Sequence, residues 1–206
     1  DCMVDDKQQI VYVSGKAGSG KTTVALIACN NELKGRVQAA ASTAKAAQNF
    51  NGPTVHSMLR WSHTAFTSGT CGYSAKIIEE LRTFYENTDV FIIDEADTLS
   101  AEQLTRLHIT MSLIFNPTGK RTANGQLLPF GGKKMIFLGD PAQLRPVIGA
   151  AIYDDVTTGI SLNKGRRGQA QQTKTVTGQN LYKNYLLENA VILKTPQRSG
   201  GLLQEI

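Results

Sequence analysis

Residues 15–22 read GKAGSGKT, the spacing G-x-x-x-x-G-K-[ST], set between the apolar run Ile10-Val11-Tyr12-Val13 and the helix-like run Thr23-Val24-Ala25-Leu26-Ile27. No other feature restricts the fold so much, because this spacing works as a loop that leaves a strand and enters a helix. Gly15, Gly18 and Gly20 open backbone conformations closed to residues with a Cβ, so that successive N–H groups converge on phosphate oxygens at the positive end of the helix. The segment predicts a nucleoside-triphosphate site formed by Gly15, Lys16, Ala17, Gly18, Ser19, Gly20, Lys21, Thr22 and Thr23. Lys21 is expected to meet the β- and γ-phosphates as a point charge, and the Thr22 hydroxyl to complete the coordination of a hydrated Mg2+.

Five short apolar runs, at 10–13, 37–41, 90–93, 135–138 and 191–193, read as strands buried on both faces. Helical patterns fall between most of them. The stretch 76–85 places Ile77, Ile78, Leu81, Phe84 and Tyr85 on one face, and Ser100 followed by Gln103 forms a capping box ahead of Leu104, Leu107, Met111 and Phe115. This alternation predicts the α/β class, a mostly parallel sheet flanked by helices and joined by right-handed crossovers. The segments 116–132 and 159–178, rich in Gly, Thr, Gln and Asn, are expected to be long loops or small insertions, the second either a basic hairpin or a surface loop. At 206 residues, a single domain over 1–206 is expected.

The net charge of +5 is uneven. No acidic residue falls within 103–139 or 156–187, and each tract carries several Lys and Arg, which suits either a polyanion or plain solvated loops. No apolar run approaches the ~20 residues that span a bilayer, so no membrane partner is expected. The chain starts at Asp1 without a signal-like segment and reads as a piece of something longer. Cys2, Cys29 and Cys71 are odd in number and widely spaced, as in reduced thiols of an intracellular protein.

Beyond the phosphate loop, the run Val90-Phe91-Ile92-Ile93 ends in Asp94-Glu95, a strand that delivers two carboxylates to the carboxyl edge of the sheet. Asp94 is expected to hold Mg2+ through its waters, and Glu95 to orient or deprotonate the water that attacks a γ-phosphate. A further strand leads into Gly139-Asp140-Pro141-Ala142-Gln143-Leu144-Arg145-Pro146-Val147, which resembles motif III of superfamily 1 helicases. Ala41-Ser42-Thr43-Ala44-Lys45-Ala46-Ala47 and Gly52-Pro53-Thr54-Val55-His56-Ser57 resemble two segments of the RecD and Pif helicases, including the Helitron relatives, and Leu193-Lys194-Thr195-Pro196-Gln197-Arg198-Ser199 resembles motif IV. The resemblance covers nearly the whole chain in the right motif order.

What this resemblance implies is the first RecA-like ATPase domain of a Pif/RecD-type DNA helicase, a P-loop NTPase fold using ATP and Mg2+ and moving 5′-to-3′ on single-stranded DNA. It assigns Gln143 and Arg198 to the γ-phosphate beside Lys21 and Glu95, and Thr43, Lys45, Thr54 and His56 to the DNA backbone. Hydroxyl, imidazole and ammonium donors suit phosphate oxygens and give affinity without sequence preference. A second RecA-like domain is implied as a partner absent from this chain, so that the piece alone is expected to show weak ATP turnover and no unwinding. Residues 94–97 spell Asp-Glu-Ala-Asp, the signature of superfamily 2 RNA helicases, where Pif relatives carry an aliphatic residue and serine after the acidic pair. An RNA helicase and a degenerate, non-catalytic nucleic-acid-binding fragment are the alternatives. Trp61 reads either as a base-stacking ring or as core, core being the more frequent use of a lone Trp.

Overall fold

Strands buried on both faces need two covering layers, and the period of two along each strand divides its side chains between them. The computed structural model, which describes residues 9–33, 36–61, 72–122, 125–142, 145–154 and 166–194, is built this way. In chain order the elements are β1 (Ile10–Gly15), α1 (Lys21–Leu33), β2 (Val37–Ala41), α2 (Ala44–Gln48), α3 (Val55–Met58), α4 (Ala75–Phe84), β3 (Val90–Asp94), α5 (Ala101–Phe115), β4 (Lys134–Gly139), α6 (Arg166–Leu181) and β5 (Ala190–Leu193). The five strands lie in the order β2-β3-β4-β1-β5, all parallel. Every expected strand is present.

Ile10, Tyr12, Phe91, Ile93, Met135 and Phe137 form one core with Leu104, Leu107 and Met111 of α5 and Leu81 of α4. Val13, Val90, Ile92 and Leu138 form the other with Ala25 of α1. Each fully buried aliphatic or aromatic side chain contributes about 1.5–3 kcal/mol to holding these layers together. The capping box at the start of α5 is formed as expected, Ser100 Oγ accepting the Gln103 N–H and Gln103 Oε1 accepting the Ser100 N–H.

Two expectations are corrected. Phe84, assigned to the inner face of its helix, is 70% exposed. Tyr85 takes the inner position instead, its ring against Phe91 and its hydroxyl donating to the Met58 carbonyl at 3.0 Å, which leaves Phe84 packed on the outside of Tyr85. The expected hairpin or loop at 159–178 is helical from Arg166 onward. Its Gly and Thr content disfavours helix, and tertiary contacts override that preference. Thr175 donates to Glu102 Oε1 at 2.5 Å, Thr105 donates to the Lys174 carbonyl at 2.6 Å, and Gly178 lies so close to the Ala101 carbonyl that no Cβ fits.

Two cations of the first acid-free tract, Arg106 and Lys133, are taken up in packing, whereas Lys120, Arg121 and Lys134 are exposed. The buried Arg106 guanidinium lies 4.7 Å over the Trp61 ring, and Lys133 donates to the Thr88 carbonyl at 2.6 Å. Trp61 is itself core: 6% exposed, it donates from Nε1 to Thr110 Oγ1 at 3.3 Å and is not available to stack on a base.

Just before β4 the chain turns through Phe130 (φ 49°) and Gly131 (φ 68°). Gly131 is required there, because a Cβ would stand 2.5 Å from the Met111 carbonyl oxygen. Phe130 is held in this unfavourable region by its N–H, which donates to Nδ1 of buried His108 at 3.0 Å. Burial lowers the His108 pKa from 6.5 to about 4, so the imidazole is neutral and Nδ1 accepts. The sign of the linkage follows: above the unfolded value His108 costs nothing, and as pH falls below it the unfolded chain takes up a proton that the folded chain refuses. Stability is therefore lost between about pH 6.5 and pH 4, with about 2 kcal/mol gone by pH 5 relative to pH 7. Thermal melts from pH 7 to pH 5 should show a smaller fall in Tm for His108→Gln than for the unaltered chain. Equal falls would show that His108 does not carry this pH dependence.

Candidate active site

Parallel register brings the carboxyl ends of β1, β3 and β4 to one edge of the sheet, and the loop after β1 folds over that edge. Gly18 (φ 79°) and Gly20 (φ 83°) hold left-handed backbone, as expected for glycine. Gly15 is glycine for a different reason, close approach: a Cβ there would lie 2.6 Å from Ser19 Oγ and 2.9 Å from the Leu193 carbonyl oxygen of β5. Lys21, the first residue of α1, turns back into the loop and donates from Nζ to the carbonyls of Gly15 (2.5 Å) and Lys16 (3.2 Å).

A cavity of about 290 Å3 opens beneath the loop, lined by residues 17–23 together with Asn49, Asp94, Glu95, Gly139 and Asp140. Thr22 Oγ1 donates to Asp94 Oδ2 at 3.1 Å, and the Glu95 N–H donates to Asp94 Oδ1 at 2.8 Å. Burial raises the Asp94 pKa above the ordinary carboxylate value, against the opposing effects of the Glu95 N–H and the Thr22 hydroxyl. A divalent cation beside Asp94 would offset that cost, and a hydroxyl with a carboxylate is a hard-oxygen donor set of the kind Mg2+ takes. Ser19 Oγ, buried in the loop, has no hydrogen-bond partner among the described residues. The site thus fits a triphosphate with its metal: an unspent hydroxyl at Ser19, the Lys21 ammonium inside the loop, and two acidic residues lining the cavity.

Glu95 stands in the left-handed region (φ 52°, ψ 41°), which costs a non-glycine residue about 1–2 kcal/mol. Its surroundings hold it there. Ser42 Oγ and Thr98 Oγ1 both donate to the Glu95 carbonyl at 2.9 Å, and Thr43 Oγ1 donates to Glu95 Oε2 at 2.6 Å.

The altered pair Ala96-Asp97 is absorbed into the sheet edge. Asp97, 2% exposed, accepts the Tyr12 hydroxyl on both carboxylate oxygens at 2.8 and 3.0 Å. Burial raises the Asp97 pKa and, with the neighbouring negative charge, that of Tyr12. This link crosses the end of β4, where only Gly139 fits, since a Cβ would meet the Asp97 carboxylate and stand 2.8 Å from the Tyr12 ring.

Of the residues singled out for a nucleic-acid backbone, Thr43 and Thr54 are also helix caps, accepting the N–H groups of Ala46 and Ser57 at 3.2 Å. A bridge between Ala41 and Thr54 places the second segment beside the end of β2, next to the first. Lys45 is exposed on α2, and the His56 ring stands edge-on to Trp61 with centroids 4.9 Å apart. Gln143 and Arg198 lie outside the described residues. Reading the sequence missed Asn49, Gly139 and Asp140 as cavity residues. The last two sit inside a quoted motif whose strand already pointed to this edge, whereas Asn49 follows a single-turn helix and carries no local signal.

The profile of the PIF1-like helicase family matches residues 1–183. The ATP-dependent DNA helicase PIF1 of Saccharomyces cerevisiae is 32% identical over 144 residues, 66% of this chain and 15% of that protein. The ATP-dependent DNA helicase Pif1 of a Psychrobacter species is 34% identical over 145 residues, 66% of this chain and 20% of that protein. Among solved structures, unliganded Pif1 from Bacteroides sp. superposes with a TM-score of 0.60 at 24% identity, over 94% of this chain and 39% of that one. Bacteroides Pif1 bound to single-stranded DNA gives 0.59 at 21% identity, over 95% and 42%. These two likenesses establish the fold, a RecA-like P-loop architecture, and the chain spans less than half the length of the proteins it matches. On the family profile, the chain belongs to the PIF1-like helicases.

Proposed function

We propose that this chain is the ATP-hydrolysing motor portion of a Pif1-type DNA helicase, binding ATP with Mg2+ and gripping single-stranded DNA along the edge formed by residues 42–56. The observation that carries the reading is the Thr22–Asp94 hydrogen bond at 3.1 Å, which joins the phosphate loop to the acidic end of β3 over one cavity that Glu95 also lines. A structural loop has no need of two acidic residues lining the cavity beneath it. Relatives described as ATP-dependent DNA helicases, and a structural neighbour bound to single-stranded DNA, support the same reading.

In this reading the loop N–H groups and Lys21 hold the triphosphate, Lys21 exchanging the Gly15 and Lys16 carbonyls for phosphate oxygens. Thr22 and Asp94 would hold Mg2+, whose charge offsets that of the phosphates when it is bound. Glu95 accepts a proton from the water whose oxygen bonds to the γ-phosphorus as the bond to the ADP oxygen breaks, giving ADP, phosphate and a proton released to solvent. Gln143 and Arg198 add donors to the γ-phosphate in this assignment. Thr43, Lys45, Thr54 and His56 contact the DNA backbone, and a second RecA-like domain closes on the first to convert turnover into movement.

Lys21→Ala should weaken ATP binding about a hundredfold, because it removes ground-state charge neutralisation. Glu95→Gln should retain binding and slow turnover about 10²–10⁴-fold, because Glu95 acts only as the water reacts. Calorimetric binding with a phosphate-release assay on both variants separates the roles. Glu95→Gln binding ATP as poorly as Lys21→Ala would contradict the assignment.

Binding to oligothymidylate should weaken with salt along a slope of about −0.7 per neutralised phosphate. A Thr54→Ala, His56→Ala double variant should bind all sequences more weakly by a similar factor, since backbone contacts carry no base information. Fluorescence anisotropy over a salt series, with RNA as competitor, tests this. Affinity independent of salt, loss confined to some sequences, or tighter binding of RNA would each contradict the proposed DNA track.

A further inference from the structure

The end of β2 holds Glu95 at both main chain and side chain. Ala41 is in register with Asp94, the Ser42 N–H donates to the Asp94 carbonyl at 3.1 Å, and the Ser42 hydroxyl donates to the Glu95 carbonyl at 2.9 Å. The next residue, Thr43, donates its hydroxyl to the Glu95 carboxylate at 2.6 Å while accepting the Ala46 N–H at 3.2 Å. Thr43 is exposed, so the same hydroxyl can be reached from solvent.

A threonine hydroxyl carries one proton and therefore makes one donation at a time. Under the reading proposed above, on which this inference rests, Thr43 gives that proton to a phosphodiester oxygen of single-stranded DNA. The two donations exclude each other. A carboxylate bound to Thr43 is tethered at one oxygen to the turn that follows β2, and that oxygen has one lone pair fewer for a water proton.

We infer that Thr43 is a positioning residue that withholds Glu95 through its single hydroxyl proton, and that a DNA phosphate taking this proton releases the carboxylate to act on the attacking water. Occupancy of the DNA edge and competence of the ATP site are then alternatives decided at one atom, Thr43 Oγ1. The chemical step is unchanged: the water oxygen bonds to the γ-phosphorus, the bond to the ADP oxygen breaks, and the proton passes through Glu95 to solvent.

The test is steady-state ATP turnover by the full-length protein, with and without saturating oligothymidylate, for the unaltered protein, Thr43→Val and Thr43→Ser. Removing the donor in Thr43→Val should raise DNA-free turnover about tenfold, the factor that a hydrogen bond to a charged group is worth, and bring the ratio of stimulated to unstimulated rates towards one. Thr43→Ser keeps the proton and should retain the ratio, a rescue that a merely structural role for the threonine methyl would not give. Thr43→Ala also lacks the proton and brings no new charge beside Glu95, so it should show the same rise even if the valine variant folds poorly. DNA-free turnover of Thr43→Ala, checked as folded by circular dichroism, and of any folded Thr43→Val that does not rise above the unaltered rate overturns the inference, whatever happens to DNA affinity. An unaltered protein that turns over no ATP with or without DNA contradicts instead the function proposed above.

Discussion

Two hydrogen-bonded links cross the end of β4, and the site depends on both. Strand order places β4 between β1 and β3, so the phosphate loop that follows β1 and the acidic pair that ends β3 are not neighbours in the sheet. Tyr12 reaches Asp97, and Thr22 reaches Asp94, over a strand end that is glycine at 139 because a Cβ would strike both Tyr12 and Asp97. The small residue lets the two halves of the site close on each other. The Tyr12–Asp97 pair also accounts for the departure at Asp97: an acid stands where the resemblance to Pif helicases implies a serine, and it is buried at a polar crossing rather than turned to solvent.

Around these links the site is held mostly by groups that spend hydrogen-bonding capacity on one another. Glu95 remains in left-handed backbone because Ser42, Thr98 and Thr43 grip its carbonyl and carboxylate, and Lys21 is folded onto loop carbonyls. Such an arrangement positions charges before reaction and defines what must be exchanged when phosphate arrives. Ser42 and Thr43 belong to the strand end that also carries the bridge to Thr54, so the proposed ATP cavity and the proposed DNA edge share the end of β2.

Much of this was legible in the sequence where local chemistry and fold agree. The β-branched runs gave all five strands, the Ser100–Gln103 box gave the start of α5, and the glycine-lysine-threonine spacing gave the loop. What stayed hidden depends on contacts distant in sequence. The helix α6 has a composition that disfavours helix and forms because Glu102, Thr105 and Ala101 of α5 receive it. Phe84 follows the helical period yet lies outside, since Tyr85 with its hydroxyl fills the inner position. The Thr43 to Glu95 bond joins residues 52 positions apart, and neither residue type signals the other.

The central claim is that the loop, Thr22, Asp94 and Glu95 form one triphosphate site. A crystal structure of the protein with a non-hydrolysable ATP analogue and Mg2+ tests it most directly. The account predicts phosphates in the cavity lined by residues 17–23, Lys21 Nζ moved from the Gly15 carbonyl to a phosphate oxygen, and the metal beside Thr22 and Asp94. A nucleotide bound elsewhere, or one bound in the cavity with Lys21 still on Gly15 and no metal near Asp94, would contradict it.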